Sequence, residues 1–328
     1  MLGIFRTNQL ALGILLVLYA LLVRAVGFWY PVEMLEVTGG VGDAWTIALL
    51  KAYPVLNDYL GIVLVFFVGI VANGIVFSHR LAVQVTLFPG VFVILASSLL
   101  PDFLSYSPYM VANLFVLLSL RAILQIYRSV SAADVIFNAG FWIGMAALWV
   151  PSFLLILPFA GITLTQLKSG RYRDQFILWI GAFFVLYMVW LGHYWYDSQA
   201  VFWDLEFKQA FALPHWVDWG GLPWVRAVAM ALLVGVVLFN NGQYLAKTKM
   251  ETQIKVGLLY WWLLGGLFVV LADMPWSVSH WLAVAPVTGM LLSLGFAKAK
   301  PASAEAWHFL MLVLLFFLHL APLWKLPV

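Results

Sequence analysis

The sequence predicts an all-α, polytopic transmembrane helix bundle of about eleven spans, and three observations carry that prediction. Of the 328 residues, 65% are hydrophobic and 9% charged, against about 45–50% apolar and about 25% charged in soluble domains. Apolar runs recur along the whole chain, each near the roughly 20 residues that an α-helix needs to cross a hydrocarbon core about 30 Å thick. Lys and Arg gather in alternate connections, as they do in loops that face the cytoplasm.

Taken in order, the runs are 9–28, 58–77, 81–100, 108–126, 134–150, 152–167, 175–192, 223–241, 255–272, 276–295 and 306–322. The first follows Arg6 and superficially resembles a signal peptide, but Arg24 stands where a small-residue cleavage site belongs, so it reads as an uncleaved helix. The second and third flank Arg80, and the fourth leads to Arg121 and Arg128. The fifth carries Gly140-Phe-Trp-Ile-Gly144, a spacing that lets another helix approach closely. The stretch 136–166 is too long for one span and is divided at Pro151, because proline removes a helix hydrogen bond. With the N-terminus cytoplasmic, 12 of the 17 Lys and Arg residues fall on the cytoplasmic side, ten of the fourteen acids fall outside, and the C-terminus lies outside. A single helix at 134–167 weakens that asymmetry. Residues 1–328 thus read as one integral domain with two larger outer loops, 29–57 and 193–222.

Several classes of function are excluded or disfavoured. The chain has no cysteine, which removes disulfides, thiolate metal sites and a cysteine nucleophile. The net charge of +3 is spread over short loops, so nucleic acid is not a partner. Motifs for nucleotide, dinucleotide, zincin and serine-hydrolase chemistry are missing. Strongly polar side chains near span centres are few, which counts against a proton-coupled transporter.

The outer loops hold the candidate chemistry. Loop one carries Glu33, Glu36 and Asp43, carboxylates suited to a general base or to a divalent cation, and equally to a solvated surface. Loop two and the two residues after it, 193–224, hold His193, Asp197, Asp204, Glu206, His215 and Asp218 among five Trp residues. Twelve of the seventeen Trp residues fall on the outer side, whereas an interfacial belt populates both faces. Trp195, Trp203 and Trp219 offer stacking surface for a sugar, or for a protein partner in the cell envelope. Arg24, His193 and Arg226 stand at the outer ends of spans as candidate ligands of a lipid phosphate, against snorkelling as the plain alternative.

The stretch SYSPYMVANLFVLLSLRAILQIYRSVSAADVIFNAGFWIGMAALWVPSFLLILPFAGITL resembles the helix pairs of the GT-C superfamily, integral membrane glycosyltransferases that use polyprenyl-phosphate sugars. It also resembles a family of polytopic bacterial inner-membrane proteins of unassigned function. The likeness covers about 60 residues well and extends in layout over 1–170. It implies transfer at the outer face of the bacterial inner membrane, with an acidic base early in the first outer loop. The family's Asp-Glu pair is missing, so the role passes to Glu33 or Asp43, with Glu36 beside them, and an inactive relative stays open. The competing reading is a non-enzymatic subunit of an envelope complex.

Overall fold

The computed structural model describes residues 2–6, 12–29, 39–82, 84–127, 129, 132–168, 172–208, 224–239, 248–273 and 277–321. Its longer helices are α1 (Leu12–Val23), α2 (Val41–Ala52), α3 (Leu56–Ser78), α4 (Phe88–Ala96), α5 (Pro108–Gln125), α6 (Ala133–Trp149), α7 (Ile156–Leu167), α8 (Tyr172–Trp195), α9 (Trp224–Phe239), α10 (Met250–Ala272), α11 (Ala285–Lys298) and α12 (Pro301–Leu320). No strand occurs among the described residues. Five helices (α3, α5, α8, α10 and α12) are long and apolar enough to cross a membrane, and four shorter apolar helices accompany them. The protein is a polytopic helical membrane protein.

The span expected at 81–100 folds as the nine-residue α4, all of whose residues are buried. At about 1.5 Å per residue it reaches roughly half a bilayer core. It is a central helix wrapped by others, seated through Gly69 of α3 and Gly289 of α11, where a Cβ would press on Ile94 and on the Phe92 and Val93 backbone. Lipid tails are as apolar as these side chains, so close packing supplies the drive that water supplies elsewhere. The outward faces of α3, α8 and α12 expose Phe67, Phe183, Leu191, Phe309 and Phe317, as suits contact with acyl chains.

The chain breaks at Pro151. Helix α6 stops at Trp149, Val150 is extended, and a 3₁₀ turn over Pro151–Leu155 leads into α7. A Cβ on Gly140 would strike the Leu178 carbonyl, one on Gly144 the Ala182 carbonyl, and one on Gly181 the Phe137 carbonyl. The matched pairs 140/178 and 144/182 mean that α6 and α8 run parallel, so α7 returns between them. Lys168 and Asp174, 3.2 Å apart, close the α7–α8 turn.

Charges separate onto the two ends of the bundle. At one end Arg24, Asp43, Asp102, Glu206, Arg226 and Asp273 are interleaved with the N-terminal ends of α3 and α5. At the other, Thr252 reaches the Arg80 carbonyl and the Lys255 Nζ lies 5.1 Å from the Tyr127 ring.

Candidate functional site

The site begins with two adjacent glycines. Gly39 and Gly40 lead into α2, and the Gly40 N–H donates to the Trp149 carbonyl at the end of α6, at 2.9 Å. A Cβ on Gly39 would overlap the Asp43 carboxyl, and one on Gly40 would meet the Leu148 carbonyl and Glu206. Only glycine lets the turn fold onto the first turn of α2 at that distance.

Asp43 is wholly buried there. Its Oδ1 accepts from the Tyr106 hydroxyl at 2.9 Å, while Oδ2 lies beside Gly39 short of a sound hydrogen bond. Burial pushes Asp43 up from 3.8 to about 7, against the opposing donations from Tyr106 and the Gly39 backbone. Burial and the neighbouring carboxylate raise the Tyr106 phenol, and the Tyr106 N–H donates to Asn57 Oδ1 at 3.0 Å. From loop two comes Glu206, also buried, whose Oε1 accepts from the Val41 N–H at 2.8 Å. Burial drives it from 4.5 to about 8 in spite of that donor. Two carboxyl groups with raised pKa values thus share the N-terminal turn of one helix, where unsatisfied N–H groups favour negative charge. A perturbed, buried acid of this kind marks a candidate site.

Beside them lies a second polar group. Asp273, at the end of α10, accepts from the Tyr109 hydroxyl and from Ser152 Oγ, the latter at 3.0 Å. The His280 ring lies 5.3 Å from that of Tyr109.

The three predicted cations are all engaged. Arg24 is buried and donates to Ser98 Oγ and to the carbonyls of Ser97, Phe103 and Leu104. Arg226 grips Asp102 through Nη1, at 3.1 and 3.0 Å from its two oxygens, and keeps 17% of its side-chain surface exposed. His193 Nδ1 pairs with Ser198 Oγ at 2.9 Å and belongs to the cap of α8. Trp195 and Trp203 are 82% and 48% exposed, the latter packed on Phe207. Glu33, Glu36 and Trp219 lie outside the described residues. For a divalent cation, Asp43 and Glu206 give two carboxylates, and no group of three or more acidic or histidine ligands forms among the described residues.

Sequence reasoning passed over Tyr106, Tyr109 and Asn57, and counted Glu206 without assigning it a role. For Tyr106 and Tyr109 the one signal was the run of Ser, Pro and Tyr in SSLLPDFLSYSPYM, polar residues set in an apolar chain.

A membrane bundle of this layout has a GT-C-like fold. Among solved structures it is similar to the crystal structure of ArnT from Cupriavidus metallidurans bound to undecaprenyl phosphate, with a TM-score of 0.55 and 12% identity. The match takes in 90% of this chain and 60% of ArnT, so the chain spans well under the full length of that protein. No protein-family model matches the sequence, and no curated protein does.

Proposed function

We propose that the protein is a GT-C-type glycosyltransferase of a bacterial inner membrane, acting at the outer face on a polyprenyl-phosphate-linked sugar with Asp43 as general base. The observation that carries this reading is Asp43, the one loop-one acid among the described residues, buried, with a pKa near 7 and half-satisfied beside Tyr106, at the start of a helix outside the membrane spans. A base is most effective with a pKa near the working pH, and a value of about 7 meets that condition. Asp43 takes the proton of an acceptor hydroxyl, whose oxygen bonds to the anomeric carbon. The bond from that carbon to the phosphate oxygen breaks, and the lipid phosphate leaves with the electron pair. Of the three cations, Arg226 is assigned to the departing phosphate, since it is partly exposed and its partner Asp102 is an exchangeable carboxylate. Arg24 serves instead to hold backbone carbonyls. Reaching Asp43 requires the covering segments, Glu206 among them, to move aside. The undecaprenyl phosphate of the ArnT structure supports the substrate class.

The test is release of undecaprenyl phosphate from a panel of undecaprenyl-phosphoryl hexoses by the full chain in liposomes. Asp43→Asn should lower release at least about 100-fold. No release by the wild type from any donor, or equal release by the variant, overturns the proposal. One observation favours the second reading, an envelope-complex subunit: Tyr194, Trp195 and Tyr196 are 56%, 82% and 83% exposed at the outer end of α8. Stoichiometric co-purification of a partner that Trp195→Ala releases would move the weight to that reading.

A further inference from the structure

The end of the bundle opposite Asp43 holds a cavity of about 700 Å³ between the C-terminal end of α3 and the N-terminal end of α10. Asn57 and His79 mark the two ends of α3, and 22 residues at about 1.5 Å each put them roughly 33 Å apart. The cavity is therefore separate from the proposed transfer site.

Its lining is built for an anion. Helix α3 ends with the Arg80 N–H on the Phe77 carbonyl at 3.2 Å and the Leu81 N–H on the Val76 carbonyl at 3.0 Å. This is the Schellman pattern, whose left-handed position is usually glycine. Here it is Arg80, at φ 51°, a conformation that costs a non-glycine residue about 1–2 kcal/mol. The cavity wall thus carries Arg80 at a position where glycine would serve the backbone better. Across from it Lys249 is the N-cap of α10 and makes no side-chain capping bond, so the N-terminal end of a 23-residue helix stands at the cavity. The one lining acid, Glu251, is 2.6 Å from Lys255 Nζ and so is neutralised within its own helix. Two lining polar atoms, Thr86 Oγ1 and His79 Nε2, are buried with no hydrogen-bond partner among the described residues, and Thr86 is 7% exposed. Two cations, a helix N-terminus and an unsatisfied buried hydroxyl match the charge and acceptor oxygens of a phosphate. The candidate spans Tyr59–Ser78 and Met250–Ala272 end and begin at this cavity, which puts it at the level of lipid headgroups.

We propose that this cavity binds a phosphate group, presented by an anionic lipid headgroup or as free phosphate, through Arg80, Lys249, Thr86 and the N-terminus of α10. The proposal is independent of glycosyl transfer. It is tested on the full chain in neutral detergent by the shift in melting temperature on adding inorganic phosphate, dioleoylphosphatidylglycerol or dioleoylglycerol, which has the same acyl chains and no phosphate. Arg80→Gly suits the test because glycine fits the left-handed position, so the unliganded variant should melt at or above the wild-type temperature. Arg80→Gly with Lys249→Gln should weaken binding at least about tenfold, and Thr86→Val by less, because each charged donor contributes more than a hydroxyl. Arg173→Gln, an exposed cation at the start of α8, should leave it unchanged. Stabilisation by the phospholipid alone assigns the site to a headgroup, and stabilisation by inorganic phosphate assigns it to the free anion. The proposal is overturned if neither binds, if dioleoylglycerol matches the phospholipid, or if Arg173→Gln weakens binding as much as the double variant.

Discussion

Replacing Asp43 by Asn should make the protein more stable at pH 8 and hardly change it at pH 4. Burial raises the folded-state value of this carboxyl from 3.8 to about 7, and at about 1.36 kcal/mol per pKa unit the cost of ionising it in place is roughly 4 kcal/mol. Asn keeps the oxygen that accepts from Tyr106 but turns an NH2 group towards the Gly39 backbone that the carboxylate accepted from, at a cost of about 1–2 kcal/mol, so the net gain is about 2 kcal/mol. The sign follows from proton uptake. Between pH 4 and pH 7 the folded carboxyl holds a proton that the unfolded one has lost, so wild-type stability falls as pH rises through that interval and levels off above it. At pH 4 the cost is below about 1 kcal/mol, because the unfolded group is itself about half protonated. Denaturation in neutral detergent at the two pH values measures the difference, with a gain of several degrees at pH 8. A variant that melts lower than wild type at pH 8, or gains as much at pH 4, refutes the burial argument. Raised stability together with lost transfer is what removal of a functional buried charge produces.

Two further substitutions probe the neighbours. Tyr106→Phe strips the donor from Asp43 Oδ1. It should cost about 1–2 kcal/mol and move the pH midpoint of the stability curve above that of wild type, read from melting across pH 5–9. Gly140→Val drives a side chain into the Leu178 carbonyl, whereas a Cβ on Gly74 meets nothing within 4 Å. The first should abolish a monodisperse elution profile in detergent, and Gly74→Val should leave it intact; equal behaviour of the two would discard the parallel α6–α8 contact.

The membrane class was legible because composition alone decides it, and the Pro151 break and the close approach at Gly140 and Gly144 were legible because each rests on a local backbone rule. The site was only half legible. Asp43 stood among three candidate acids, and nothing in the sequence around it reveals that Tyr106, 63 residues away, supplies its donor. Glu206 meets Val41 across 165 positions, a pairing made by the fold of two loops onto one helix end. Arg24 was read as a phosphate ligand, yet three of its acceptors are backbone carbonyls, which every residue carries and which therefore leave no trace in side-chain patterns.

The short connection from Ser97 to Ser107 accepts Arg24 at the end of α1, pairs Asp102 with Arg226 of α9, offers the Ser98 carbonyl to His319 of α12 at 2.9 Å, and ties Tyr106 to both Asn57 of α3 and Asp43 of α2. Eleven residues thus act as the keystone for five helices, two of which, α3 and α12, turn broad apolar faces outward. A tilt of either helix would pull on this segment, and with it on the phenol that opposes the burial-driven rise of Asp43.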